Sequence, residues 1–409
     1  MDHTFGGMST VPTSIEEANA RAVGRVVAVR PELVGLERAS DCLGLTDFEL
    51  LHAGPALQDP RVPCIPLRNA AMAAALFEGW AQNPQQAQDL IADGRLRLRP
   101  AQDVGCVVPL ADVVSPSMWI QIVRDANDQA RWAGSPINGG STSPMRVGIC
   151  DVAVVRQLHW LNTVFAPAYR IALSGGPIAT IDVADQALCA GDDCHGKTAA
   201  ATKVLSTLLE PRFSGVDASA CRTFLMHSAG FFLNIWMASA RCMLSAAAGV
   251  GGSDIVTCAA GNGQAFGLQV AGLPDRWFTS AADAPTIPNA TAQQCDASLG
   301  AIGDSAIVDL LGFGAMTTCG SAPRDKPAFS TLWPDLADVP ASLLHAQHPA
   351  FTRSQARILV SAAQAAQAQR QPIVSLGVLD KAGVQGRLEG GFYRVPERLF
   401  AEANAALYR

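Results

Sequence analysis

Between Arg222 and Arg241 lies a stretch, Thr223 to Ala240, with no Asp, Glu, Lys or Arg. It nears the length at which an apolar helix crosses a bilayer. His227, Ser228, Asn234 and Ser239 dilute it, Gly230 interrupts it, and both flanking arginines sit close. No second candidate for a membrane span accompanies it, so a helix buried in a large core fits better than a membrane span. Such a core needs a long, apolar chain. Here 409 residues are 49% hydrophobic and only 16% charged. That length exceeds one ordinary core, and more than one domain is expected.

The formal net charge is -6, so no broad basic field exists to hold a nucleic-acid backbone. The 11 cysteines include no CxxC pair and no zinc-finger spacing. Cys189, Cys242 and Cys258 sit in apolar stretches and read as small buried hydrophobes. No metal site is expected, since no second cluster would complete one at Asp193, Cys194 and His195. An odd cysteine count without a framework argues for a reducing compartment. Met1 to Pro12 has neither a basic nor an apolar run, so a cytoplasmic location is expected.

Thr13-Ser14-Ile15-Glu16 reads as a capping box opening a helix that Pro31 stops. Glu32 to Glu37, Phe48 to His52, Arg95 to Arg99 and Trp119 to Val123 read as strands. Helices are predicted over Arg68 to Gln82 and from the Asn83-Pro84 cap to Gly94. Asn138 to Pro144 is a boundary loop, and the chain is strongly helical from Val152 to Ala248. Ser253 to Ala259 and Ala265 to Ala271 are predicted strands joined at Gly261-Asn262-Gly263. Ala281 to Pro288 reads as loop. A helix is predicted over Asp304 to Leu311 with Asp304 as its cap. Ser321 to Pro349 reads as a surface connection, Thr352 to Gln369 as a helix, Ile373 to Leu379 as a buried strand. Gly383 to Gly391 reads as loop and Pro396 to Leu407 as a final helix. The expected division is an N-terminal α/β domain (1–145), a helical domain (146–250) and a C-terminal α/β domain (251–409).

The densest polar chemistry is Gly191-Asp192-Asp193-Cys194-His195-Gly196-Lys197-Thr198. Burying so many polar groups between apolar helices is costly unless they are paired or used. His195 can move protons near neutral pH, with Asp192 or Asp193 fixing its tautomer. Lys197 can neutralise an anionic substrate. The bland alternative is a solvated loop in which one aspartate caps the next helix. The segment also fits GxxxxGKT, the phosphate-loop pattern, with Ile373 to Asp380 as a magnesium-handling strand. Nucleotide binding is disfavoured, because Ile181 to Ala190 reads as helix and adjacent aspartates repel phosphate.

Other candidates are more dispersed. His52 ends a strand beside a Gly-Pro turn and is either a ligand contact or a core histidine. Glu78, in an apolar helix, pairs with an arginine or serves as a base. Asn262 suits its turn on structural grounds alone. Asp304 and Ser305 at a helix start can present N–H groups to an anion or act as a plain cap. Arg276 beside Trp277 can wall a pocket, although tryptophan is usually packing.

An ordered set of motifs gives the chain a family. Leu51-His52-Ala53-Gly54-Pro55 and Ala75-Leu76-Phe77-Glu78-Gly79-Trp80-Ala81 come first, then Ser115-Pro116-Ser117-Met118 and Gly191-Asp192-Asp193-Cys194-His195. Trp236-Met237-Ala238, Asn262-Gly263, Phe266-Gly267, Trp277-Phe278-Thr279 and Ile302-Gly303-Asp304-Ser305-Ala306-Ile307 follow. In this order the set resembles the YlbE-like family. Lys197 stands where an Arg is usual there, and Lys lacks bidentate grip.

The resemblance implies a multi-domain α+β fold with a largely helical middle section. It is not the fold of aspartate and ornithine carbamoyltransferases. It also implies likeness to a subunit of oxamate carbamoyltransferase, which acts with partner subunits. The expected activity is carbamoyl or similar acyl transfer involving a small polar or anionic substrate, with carbamoyl phosphate as a possible co-substrate and no cofactor. His195, Asp193 and Asp192 would be catalytic. His52, Lys197, Asn262, Arg276, Asp304, Ser305, Ser117 and Glu78 would bind substrate. A non-catalytic scaffold subunit is the alternative, and a homo-oligomer is expected.

Overall fold

The structure, a computed structural model, describes residues 14–139, 144–319, 339–368 and 370–408. Thr13 of the expected cap, residues 140–143 of the boundary loop and residues 321–338 of the expected surface connection lie outside these.

Ser14 caps α1 (Ile15–Ala28) by accepting the Glu17 N–H at 3.2 Å. The chain then enters β1 (Pro31–Arg38), the short α2 (Ala39–Leu43) and β2 (Glu49–His52). Alanine-rich α3 (Ile65–Phe77) buries most of its length. Asn83 caps α4 (Pro84–Ala92), where Pro84 costs no hydrogen bond at the first position. Next come β3 (Arg97–Pro100), β4 (Val113–Val114), β5 (Trp119–Asp125) and β6 (Asp128–Pro136). No strand is expected at β6, whose residues do not alternate in polarity. Pairing with β5 makes it one, and its last four residues are buried.

A helical run follows: α5 (Val152–Trp160), a wide turn at Leu161–Phe165 and α6 (Ala166–Leu173). The wide turn sits where Pro167 cannot supply an N–H, and Ala166 donates to Leu161 instead. The short β7 (Ile178–Ala179) pairs with β1, so one sheet, ordered β6-β5-β1-β7, takes strands from both sides of residue 145. Then come α7 (Thr180–Cys189), α8 (Ala199–Leu209), α9 (Ala218–Met226) and α10 (Phe231–Ser245).

The charge-free stretch is thus two helices, broken at His227 to Gly230. Phe231, Phe232, Ile235, Trp236, Met237, Met243 and Leu244 of α10 are all buried. Each large side chain so placed contributes roughly 1.5–3 kcal/mol. Among the described residues no helix is long and apolar enough to cross a membrane.

The remainder holds β8 (Val256–Asn262), β9 (Ala265–Val270), β10 (Leu273–Ala281), α11 (Ala292–Ala297), β11 (Ile302–Gly303) and α12 (Ala306–Leu311). It continues with α13 (Val339–Leu343), β12 (Leu344–Gln347), β13 (Arg357–Val360), α14 (Ala362–Ala368), β14 (Ile373–Leu379), β15 (Arg387–Arg394) and α15 (Glu397–Ala406). The further sheets are β3-β2-β4, β10-β9-β8-β11 and the ribbons β12-β13 and β14-β15. Among these ladders only β2–β3 is parallel.

Four expectations change here. The helix predicted over Thr352 to Gln369 shrinks to α14, because Arg357–Val360 pairs with β12 and buries Ile358 and Val360. Tertiary pairing outweighs the helix propensity of that alanine- and glutamine-rich stretch. The described end of the expected surface connection forms α13 and β12 and buries Val339, Leu343, Leu344 and His348. The glycine-rich run ending at Gly391 becomes β15 from Arg387 onward. There a Cβ on Gly391 would meet Val378 at 2.7 Å, so glycine permits the close ladder. Finally, Asp304 does not cap α12. Ser305 holds the cap position, and the Asp304 carboxylate faces three other donors.

Candidate functional site

A cavity of about 1170 Å³ opens between the end of α7, the starts of α8 and α10, the loop at Pro109 and Leu110, and the β14–β15 ribbon. The segment Gly191 to Thr198 supplies one wall, with Cys194 behind it, so the polar cluster lies on a concavity. Asp192, Asp193 and His195 are each less than a tenth exposed, while Lys197 is exposed.

The loop is framed by its own aspartates. Asp192 Oδ2 accepts the Ala201 N–H at 2.8 Å and so caps α8. Burial pushes its carboxyl above the usual range. Asp193 Oδ1 accepts the N–H groups of His195 (2.8 Å) and Lys197 (2.9 Å). The N–H groups of Asp193 and Cys194 both return to the Lys197 carbonyl. Cys194 turns the corner at φ 61°. Its thiol is buried and pushed well up, which removes it as a nucleophile. This is not a phosphate loop. Helix α7 precedes it instead of a strand, and Asp193 occupies N–H groups that a phosphate would need.

His195 finds its partner far along the chain. Its Nδ1 hydrogen-bonds Asp309 Oδ2, and Asp309 is fully buried. Asp309 Oδ1 accepts the N–H groups of Ala315 (2.8 Å) and Ser375 (3.0 Å). Burial alone would push the imidazole down. The charge and hydrogen bond of Asp309, joined by Asp193, outweigh it and hold His195 above its ordinary value. An ionised carboxylate only accepts, so Nδ1 carries the proton and Nε2 is the ring nitrogen left for a ligand.

The apolar core sets this pair. Trp236 of α10 packs edge-on against Phe313, ring centroids 5.0 Å apart. The next residue, Gly314, donates its N–H to the Asp193 carbonyl at 2.7 Å. A Cβ on Gly314 would meet Asp309 Oδ1 at 2.3 Å and His195 Cβ at 2.9 Å, so only glycine lets the two segments approach.

Of the other sequence candidates, Lys197 and Ser305 line the cavity. Asp304 is fully buried elsewhere and accepts from Gly54 N (3.0 Å), Gln102 Nε2 (2.9 Å) and Val108 N (2.7 Å). Burial pushes it up to about 7. Asn262 closes the β8–β9 turn through its Oδ1 and donates to the Pro55 carbonyl at 2.9 Å. His52 is a core residue bonded to the Ala53 carbonyl at 2.7 Å, and burial pushes it down to about 4. Glu78 accepts the Ser117 N–H at 2.9 Å, and Arg38 donates to the Ser117 carbonyl, so these three meet away from the cavity. Arg276 is exposed over the Phe278 ring, 4.8 Å from its centroid. Asp309 was missed by sequence reasoning. The available signal was a lone carboxylate inside the otherwise apolar Ala306–Leu311.

Residues 96–305 match the family described as oxamate carbamoyltransferase subunit AllG. The chain belongs to the AllG family. Escherichia coli K12 AllG, an oxamate carbamoyltransferase subunit, is 28% identical over 413 residues, spanning 97% of this chain and 98% of that protein. A second E. coli K12 relative, the uncharacterized protein YahG, is 33% identical over 333 residues, 79% of this chain and 69% of YahG. A conserved protein of unknown function from Enterococcus faecalis V583 shares the architecture with a TM-score of 0.89 at 26% identity, over 96% of this chain and 97% of that one. The fold of this chain mixes helices with several small sheets. Nothing in it points to the aspartate and ornithine carbamoyltransferase fold. The matching family carries the AllG description rather than the YlbE-like label.

Proposed function

We propose that this chain is an enzyme or enzyme subunit for carbamoyl or similar acyl transfer involving a small amide or amine, with His195 as the proton acceptor. The observation that carries this reading is His195 in the cavity wall, paired with the buried Asp309 behind it. In the forward direction the substrate nitrogen attacks the carbamoyl carbon of carbamoyl phosphate. The new C–N bond forms, the C–O bond to phosphate breaks, and phosphate leaves with the electron pair. His195 Nε2 takes the proton shed by nitrogen, and Asp309 stabilises the resulting imidazolium. Asp193 and Asp192 hold the loop that carries His195. Lys197 and Ser305 lie on the same walls and offer donors to the carbonyl oxygen. Kinship with AllG supports oxamate as the first substrate to try, and supports work with partner subunits.

A second reading is a scaffold subunit whose chemistry lies in a partner, and the family description as a subunit favours it. A coupled assay with carbamoyl phosphate and oxamate separates the two. Turnover by the purified chain, lost in His195→Ala, is expected. Equal rates in both proteins remove His195 from the mechanism, and no turnover without a partner favours the scaffold.

A further inference from the structure

Two guanidinium groups from distant parts of the sequence line the same cavity. Arg146 comes from the turn after the boundary loop, Arg387 from the start of β15. Burial disfavours the charge on Arg146, the Asp112 carboxylate favours it, and Arg387 lies close enough to disfavour it further. No carboxylate among the described residues is within ion-pair distance of either, although Asp192, Asp193 and Glu389 share the cavity wall and Asp112 acts on Arg146 from beyond that distance.

The arginines are nonetheless held in place. Arg146 Nη1 donates to Asn138 Oδ1, and Asn138 Nδ2 donates to Asp112 Oδ2 at 3.0 Å. Arg387 Nε donates to the Glu389 carbonyl at 3.2 Å. Between them, on β14, Ser375 lines the cavity and is only 6% exposed. Its Oγ has no hydrogen-bond partner among the described residues. The Ser375 N–H is fixed by Asp309, the carboxylate that also holds His195.

A guanidinium at Arg146 held through Asn138 instead of by a direct ion pair, beside a buried hydroxyl with no partner among the described residues, is costly in an empty site. An oxyanion relieves both costs, because guanidinium forks match carboxylate and phosphate oxygens and the hydroxyl can donate to a third. We propose that Arg146, Arg387 and Ser375 form an anion subsite for the carboxylate or phosphate group of a small substrate. The proposal rests on the cavity being the transfer site. It adds the part that grips charge beside the part that moves the proton.

Calorimetric titration of the full chain tests it, with oxamate, inorganic phosphate and the neutral analogue oxamide as probes. Oxamate or phosphate binds the parent, and whichever does tells a carboxylate site from a phosphate site. Oxamide does not bind. Arg387→Gln and Ser375→Ala each weaken the anion by about tenfold or more. Arg387 is exposed, so its variant keeps the parent melting temperature, which guards against misfolding. His195→Ala retains anion binding. Unchanged affinity in both variants, equal binding of oxamide, or no anion bound at millimolar concentration overturns the subsite. If the variants lose binding while His195→Ala turns over normally, the subsite stands and the His195 mechanism falls. If turnover needs His195 but the variants keep their KM and affinity, the subsite falls and the mechanism stands.

Discussion

The imidazole of His195 and the carboxylate of Asp309 are 114 positions apart in sequence and share a hydrogen bond behind the cavity wall. Asp309 has no exposure at all, and its second oxygen ties Ala315 and Ser375 into the same corner. One carboxylate therefore sets a side chain and two backbone segments together.

Asp309→Ala leaves two buried N–H groups and a buried imidazole without their acceptor. A loss of about 3–5 kcal/mol is expected. Asp309→Asn keeps an oxygen and costs less. Urea unfolding of the three proteins checks this, and an alanine variant as stable as the parent contradicts the geometry.

The pH dependence follows from the same pair. A base must be neutral, so activity rises as His195 loses its proton, at a pH above the ordinary imidazole value of about 6.5. Asp309→Asn removes the charge that raises it. Burial then dominates, and the acid limb of the rate profile moves to lower pH. For stability the sign is opposite. The contribution from His195 is full below its unfolded value and fades as pH climbs through the raised folded value. Histidine NMR titration of parent and variant reads the shift directly.

Glycine positions separate strain from space. Gly314→Ala drives a Cβ into Asp309 and His195, so stability and turnover should both fall, with at least about 2 kcal/mol lost. Gly44 also has a left-handed φ, at 63°, but a Cβ there meets nothing within 4 Å. Its alanine variant should cost only about 1 kcal/mol and leave activity unchanged. Thermal melts beside the coupled assay distinguish the two.

Asp304 and Arg276 should diverge in the opposite sense to a shared binding role. Asp304→Ala unties Gly54, Gln102 and Val108 at once and should destabilise by roughly 3 kcal/mol or more. Arg276→Ala changes an exposed side chain outside the cavity wall, with an effect within about 0.5 kcal/mol. A large rise in KM for Arg276→Ala with unchanged stability would show that substrate reaches β10.

Local chemistry was legible wherever neighbours in sequence decide it. The cap at Asn83, the Asn262 turn and the strand Ile373–Leu379 follow from side-chain reach, backbone preference and apolar patterning. β6 and β13 were not, because a strand in an open sheet is made by its partner as much as by its own residues. The polar loop at Gly191 to Thr198 drew attention for a sound reason, since its groups had to be paired. Of the two readings of its aspartates, capping the next helix holds for Asp192, and fixing the imidazole does not. Asp192 and Asp193 cap backbone, while the imidazole pairs with a carboxylate from α12.

The amino-acid order determined where charge, turns and greasy helices fall along the chain, and through its motifs the likeness to an oxamate carbamoyltransferase subunit. Which distant groups meet was settled by packing alone: Trp236 against Phe313, and Gly314 leaving room for Asp309 beside His195. Side-chain identity fixes what a group can do within a few residues. Its partner across the fold depends on how several hydrophobic faces close together, and no single stretch of sequence carries that information.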